Sequence, residues 1–134
     1  MTRETRVFPA MGPVVDALDE HGIPWGIVTN KVTRLAVPII QALGLAARTA
    51  VLIGGDTTPH AKPHPEPLLE AARRVRVPPE ACVYVGDDHR DVQAGRAAGM
   101  RTVAVRFGYL NGSSPDLWGA DVIVSTPAEI ENII

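Results

Sequence analysis

Carboxylates crowd one short stretch of this chain. Gly86-Asp87-Asp88-His89-Arg90-Asp91 follows the apolar run Cys82-Val83-Tyr84-Val85, and small residues come next: Ala94, Gly95, Ala97 and Ala98. Two carboxylates about 4 Å apart repel by about 4 kcal/mol at an effective dielectric of about 20. A hard cation such as Mg²⁺ turns that repulsion into binding, because it takes oxygen ligands from one or two carboxylates and keeps waters for a phosphate-bearing substrate. Asp87 and Asp91 are therefore candidate metal ligands. Helix capping competes for the same group: Asp88 suits an N-cap and Asp91 a first turn. Capping is the favoured reading for Asp88, and metal the favoured reading for Asp87.

Two further polar clusters sit where apolar runs end. At Ile27-Val28-Thr29-Asn30 a strand delivers a hydroxyl and then backbone N–H groups at a turn into a helix, which suits a phosphate oxygen. Thr29 or Asn30 could instead cap that helix. Lys62 lies in Ala61-Lys62-Pro63-His64-Pro65-Glu66-Pro67, where prolines restrict the loop and could hold the ammonium over a phosphate as a point charge. A single loop lysine is otherwise a solvated charge. His60 and His64 are four apart but lie among prolines, so they share no helix face, and they read as solvent-facing loop histidines rather than a transition-metal site.

The elements that position these residues alternate. Helical patterns cover Val14 to Glu20, Thr33 to Leu43, Glu66 to Val75, Asp91 to Ala98 and Ala128 to Ile134. Strand patterns cover Ile23 to Thr29, Ala50 to Ile53, Cys82 to Val85, Thr102 to Val105 and Asp121 to Val124, and Phe107 to Ala120 reads as a long loop. Apolar strands separated by helices predict a parallel sheet between two helical layers, a three-layer α/β/α fold. Ligands of such sheets bind beyond the carboxyl ends of the strands, where all three polar clusters fall. Trp25 and Tyr84 read as core on their strands, and Gly95 as a close helix–sheet contact.

With 134 residues the chain suffices for one domain, 1–134, with its own core. A net charge of -2 gives no nucleic-acid or anionic-membrane footprint, and six scattered Phe, Trp and Tyr residues make no base-stacking platform. Cys82 is the only cysteine, which excludes an intramolecular disulfide and fits a reducing compartment. No apolar run reaches membrane-spanning length, and Met1 to Arg6 lacks a signal-peptide core. The expectation is a cytoplasmic protein with neither membrane nor nucleic-acid partner.

Taken in order, Thr29-Asn30, Lys62-Pro63 and Gly86-Asp87-Asp88 through Asp91 resemble the motifs of the haloacid dehalogenase superfamily, in its phosphoglycolate phosphatase branch. Supporting segments are Trp25 to Lys31, Lys62 to Leu69, Ala94 to Met100, Gly108-Tyr109 and Gly119-Ala120-Asp121. The resemblance runs from about Phe8 onward. It implies a Rossmann-like core, Mg²⁺ as cofactor and a small phosphorylated metabolite, 2-phosphoglycolate, as substrate. It implies that Thr29 binds phosphate with Asn30 beside it. Lys62 would be the catalytic and phosphate-binding lysine that neutralises phosphoryl oxygens and nucleophile. Asp87 would ligate Mg²⁺, with Asp91 as a further carboxylate at the metal site.

The family's nucleophile stands in an Asp-x-Asp motif on its first strand, and no such motif occurs here. The helical cap that this branch carries between its first two motifs is absent too, so the chain looks like the C-terminal part of the family's full length, starting near Arg6 to Pro9. Losing a nucleophile costs roughly 10⁶ in turnover in other covalent enzymes. The isolated chain is expected to hydrolyse phosphate esters poorly or not at all. The absent strand would lie in mid-sheet, between the strands ending at Thr29 and Val85. That predicts a gap or a re-pairing of those strands, and unpaired edges invite a homodimer. Two rivals remain. A two-component receiver domain would place its acids first and its lysine last, the reverse of this order. A remnant or partner-binding module would keep the fold without the chemistry.

Overall fold

The computed structural model describes residues 12–86, 88–105, 118–125 and 128–131; Asp87 and most of the expected loop after Val105 lie outside the described residues. The order is α1 (Gly12–Glu20), β1 (Gly26–Val28), α2 (Thr33–Ala42), β2 (Val51–Ile53), α3 (Glu66–Val75), β3 (Val83–Gly86), α4 (His89–Ala97), β4 (Arg101–Val105), β5 (Val122–Val124) and α5 (Ala128–Glu131). The elements are those expected from the apolar periodicity, with shifted ends. β1 starts at Gly26 rather than Ile23, because Pro24 has no N–H to give a ladder. Trp25 therefore precedes the strand, and its indole N–H donates to Asp19 Oδ1 at 2.8 Å. α4 starts at His89 rather than Asp91, because Asp88 is its N-cap and accepts from the Arg90 N–H. A short 3-10 turn at Pro79–Ala81 was not anticipated.

Among the described residues all strand pairs are parallel, but they form two pieces. β1 pairs with β2, in register Ile27 to Leu52, and β3-β4-β5 form a second sheet with Val85 opposite Val103 and Ala104 opposite Ile123. Among the described residues β1 and β3 do not pair with each other. Of the two expected outcomes the gap is the one observed. β4, with neighbours on both sides, buries Thr102 to Val105, whereas β3 leaves Val83 46% exposed.

Alternation along the strands builds the layers. Val103 and Val105 of β4 pack with Val124 and with Ile130 of α5. Tyr84 and Val28 turn the other way, against Leu68 and Ala72 of α3 and Ala94 of α4. Ala104 joins Val92 of α4 on that same face. The fold is thus the expected α/β/α arrangement. Among the described residues no helix is long and apolar enough to cross a membrane.

Gly95 is buried in α4 where the helix meets the sheet, and a Cβ there would fall 2.5 Å from Thr102 Cγ2 and 3.6 Å from Tyr84 Cβ. Gly95→Leu is expected to cost about 1–3 kcal/mol through overpacking. An unchanged thermal melt would contradict this packing.

Surface carboxylates give the fold an acid limit. Glu70, gripped by Arg73 and then Arg74, is held down at about 2. Asp19 is lowered by the Trp25 and Arg48 hydrogen bonds, Asp56 by the Thr33 hydroxyl and N–H, and Asp121 by the Thr102 N–H and hydroxyl. Each binds its proton more weakly folded than unfolded. Their contribution is present above the unfolded carboxylate values and is lost as pH falls through the folded ones. The urea midpoint should drop steadily between about pH 5 and pH 2; a flat midpoint across that window would rule these contacts out as contributors.

Candidate functional site at the strand ends

The carboxyl end of β1 runs into a turn that holds itself together. Thr29 N–H completes the pairing with Ile53 C=O at 2.9 Å, and Thr29 Oγ1 accepts from the Lys31 N–H at 3.1 Å. The start of α2 is capped from outside. Val32 at its N-cap offers no side-chain acceptor, and Asp56, just beyond β2, accepts from the Thr33 N–H at 2.8 Å and the Thr33 hydroxyl at 2.6 Å. An unpaired first-turn donor is satisfied in this way from another loop. Thr29 and Asn30 therefore do not cap α2.

Asn30 grips the lysine loop at two points. Its Nδ2 donates to the Lys62 C=O at 3.1 Å, and its Oδ1 accepts from the Lys62 N–H at 3.0 Å. The sequence reading placed Asn30 on phosphate. The structure commits both ends of its amide to the Lys62 backbone, so the side chain positions the lysine.

Lys62 is the centre of the arrangement. Its Nζ donates to Asp91 Oδ1 at 2.6 Å, to Tyr84 OH at 3.0 Å and to the Val28 C=O at 3.3 Å. The two charged side chains are only 12% and 10% exposed. The ammonium also lies 5.6 Å from the Tyr84 ring centroid. The alternative of a solvated loop charge is excluded. Tyr84 was read as core alone; its ring is core, but its hydroxyl belongs to the site and lies within 3.3 Å of Asp91 Oδ1. The single-sequence signal for it was only its register: Tyr84 stands two residues before Gly86 on the face that α4 covers.

Gly86 lets Asp91 in. A Cβ on Gly86 would fall 2.2 Å from Asp91 Cβ and 2.6 Å from Asp91 Oδ2. Only a residue without a side chain allows the first turn of α4 to fold its carboxylate back over the strand end. Asp88 takes the capping role anticipated for it, accepting from the Arg90 N–H at 2.9 Å and from Arg90 Nε at 3.2 Å. Burial alone would raise its carboxyl, but the Arg90 hydrogen bonds outweigh this and hold it below the usual range. Thr29, Asn30, Lys62 and Asp91 are thus brought to one end of the sheet halves. Asp87, the principal expected metal ligand, lies outside the described residues. The described donors, a buried carboxylate and backbone and hydroxyl oxygens, are hard ligands of the kind Mg²⁺ takes.

His60 and His64 do come together, which the proline spacing hid. Their rings stack at 4.4 Å between centroids and 16° between planes, and the Glu66 carboxylate accepts from the His60 N–H at 2.9 Å. Ligand lone pairs lie in the ring plane, so two stacked imidazoles aim theirs side by side rather than at one ion. Both rings are exposed. His89 stacks on Trp118 instead, 6.3 Å between centroids.

Known proteins share both sequence and fold with this chain. It is 44% identical over 131 residues to an N-acetylmuramic acid 6-phosphate phosphatase of Pseudomonas putida, covering 97% of this chain and 59% of that protein. It is 48% identical over 128 residues to a phosphoglycolate phosphatase of Xanthomonas campestris pv. campestris, covering 95% of this chain and 58% of the relative. The crystal structure of a protein described as a predicted phosphoglycolate phosphatase from Haemophilus somnus 129pt superposes with a TM-score of 0.89 at 30% identity, over 96% of this chain and 57% of that one. The chain thus spans a little under three fifths of the length of these relatives. Residues 1–99 match the family described as haloacid dehalogenase-like hydrolase, and the chain belongs to that family.

Proposed function

We propose that residues 1–134 form the phosphate- and Mg²⁺-binding part of a phosphomonoesterase acting on a small phosphorylated metabolite in the cytoplasm. The observation that carries this reading is the Lys62 ammonium, hydrogen-bonded to Asp91 and held by Asn30 at the carboxyl ends of β1 and β3. A cation fixed there neutralises phosphoryl oxygens as charge builds on them. Thr29 contributes a hydroxyl at the same end. Asp87 and Asp91 would hold Mg²⁺, which supplies the remaining positive charge beside the phosphate.

The leaving group is not selected by these residues, because they address the phosphate. 2-Phosphoglycolate is the first candidate substrate. N-Acetylmuramic acid 6-phosphate is the second, since a relative 44% identical carries that name. Covalent phosphoryl transfer needs a nucleophile, and the sequence holds no Asp-x-Asp pair. The isolated chain therefore binds phosphate with Mg²⁺ but turns over neither ester appreciably.

The test has two arms. In the first, the purified chain is titrated with inorganic phosphate in the presence of Mg²⁺ while Thr29 and Lys62 resonances are followed by NMR. Mg²⁺-dependent shifts are expected, and their absence would sink the site. In the second, phosphate release is measured from both esters. Robust release that Asp87→Asn abolishes would overturn the claim that the isolated chain is incompetent.

A further inference from the structure

The Lys62 ammonium has all its donors in use. An ammonium carries three N–H groups and no acceptor. Three oxygens of the described residues take them: Asp91 Oδ1 at 2.6 Å, Tyr84 OH at 3.0 Å and the Val28 C=O at 3.3 Å. A phosphoryl oxygen therefore reaches this cation only when one of the three is given up. The Asp91 contact is short, charge-assisted and largely buried, so it is the hardest to break. The Tyr84 contact is directed inward, because the Tyr84 ring packs with Leu68, Ala72 and Ala94. The Val28 contact is the longest and involves no second charge. Val28 is also the last residue of β1, directly before Thr29, so the N–H used on it lies beside the turn assigned to phosphate.

The Val28 carbonyl does not give up a donor freely. The Trp25 C=O accepts from the Ala50 N–H at 2.8 Å and the Thr29 N–H donates to the Ile53 C=O at 2.9 Å, so the odd-numbered residues of β1 bond toward β2. Bonding direction alternates along a parallel strand, which turns the backbone groups of half-buried Val28 away from β2. A part-buried acceptor that loses its donor is penalised. A second donor already stands beside it. The Tyr84 hydroxyl lies 3.4 Å from the same carbonyl and 3.3 Å from Asp91 Oδ1. Its one proton serves either acceptor, and Lys62 serves both of them too. Both distances exceed the usual O–H···O range of about 2.5–3.0 Å, so neither acceptor holds that proton firmly.

We propose that Tyr84 is a positioning residue for phosphate: when Lys62 turns one N–H from the Val28 carbonyl to a phosphoryl oxygen, the Tyr84 hydroxyl donates to that carbonyl in its place. The exchange leaves the Lys62–Asp91 and Lys62–Tyr84 bonds standing, and no proton changes owner. Tyr84 touches no substrate and acts through Lys62 and Val28. The proposal rests on the phosphate-binding reading and deepens it, since it names what the site rearranges to admit the anion. Tyr84→Phe keeps the ring against Leu68, Ala72 and Ala94 but brings no donor, so Lys62 stays tied to Val28. The same change also removes an acceptor of Lys62. The N–H released by it is aimed at the packed ring, not at the Thr29 turn, and does not serve the anion.

The experiment titrates the 134-residue chain with inorganic phosphate at a fixed excess of Mg²⁺, by calorimetry and by NMR of the Val28 carbonyl carbon and the Lys62 ammonium nitrogen. Three proteins are compared: the unaltered chain, Tyr84→Phe, and Tyr84→4-aminophenylalanine, which restores a donor and a lone pair at the same place on the ring. Tyr84→Phe should weaken phosphate binding about tenfold, the scale of one lost hydrogen bond, and the amino variant should recover to within about threefold of the unaltered chain. In the unaltered chain the Lys62 ammonium resonance should move on adding phosphate while the Val28 carbonyl resonance stays, because one donor replaces another. In Tyr84→Phe saturated with phosphate the carbonyl should move upfield, the signature of a lost donor. A ring that only packs would give neither the rescue nor the carbonyl difference. Phosphate affinity of Tyr84→Phe within about twofold of the unaltered chain, well below the effect of one hydrogen bond, would overturn the proposal. So would an amino variant as weak as Tyr84→Phe. Should Tyr84→Phe unfold, the unaltered chain decides, since an upfield move of its own Val28 carbonyl on phosphate binding overturns the exchange. An unaltered chain that binds no phosphate with Mg²⁺ removes the phosphatase reading and this proposal together, whereas binding that Tyr84→Phe matches removes the proposal alone.

Discussion

Lys62→Met is expected to destabilise the fold by about 3–5 kcal/mol, the cost of removing one partner from a buried ion pair. Methionine keeps the length and most of the volume of lysine, so packing changes little. What is lost is the ammonium that bonds Asp91 Oδ1, Tyr84 OH and the Val28 C=O. Asp91 then keeps a charged carboxylate with its side chain 10% exposed and without that cation. For a chain of this size the melting temperature should fall by roughly 10–20 °C. The double variant Lys62→Met with Asp91→Asn should lose less than the two single variants together, by about 0.5–3 kcal/mol. Urea melts of all four proteins measure this. A single-variant loss below about 1 kcal/mol, the level of an exposed surface pair, would show that the contact is screened rather than buried.

Leu68→Ala is expected to cost about 2–3 kcal/mol, in the lower part of the range for such substitutions. Leu68 has no exposed surface and joins α3 to Val28, Tyr84 and Ala94. Full burial argues for a large effect. Against that, Leu68 also borders the cavity of about 780 Å³ between the sheet pieces, so empty space already lies beside it. The new cavity merges with the existing one rather than costing a separate void. A loss above about 4 kcal/mol in the isolated chain would mean that the cavity is collapsed in solution.

Much of this architecture was legible in the sequence because it is written locally. Apolar period and stop residues placed every described α-helix and strand, and the glycine at 86 with the carboxylates after it marked the right strand end. The errors at element ends also have local causes: Pro24 shortens β1 and the Asp88 cap lengthens α4. What escaped is what depends on distant parts of the chain. Asn30 offered a phosphate-binding amide beside Thr29, and nothing near it announced that Lys62, 32 residues on, would occupy both of its ends. Tyr84 looked like any strand aromatic until the loop carrying Lys62 came over it. Prolines argued correctly against a shared helix face for His60 and His64, yet a tight loop stacked the rings anyway. The Asp56 cap on α2 was hidden for the same reason, since the helix and its acceptor lie on different loops.

The segment from Asp56 to Lys62 is fastened at each end to the same short turn, by Asp56 on Thr33 and by Lys62 on Asn30. It therefore works as an arch with both feet on one stone. Peptide cleavage midway, between Pro59 and Ala61, would sever the covalent path without releasing either foot, and the nicked halves would stay together until the turn itself came apart.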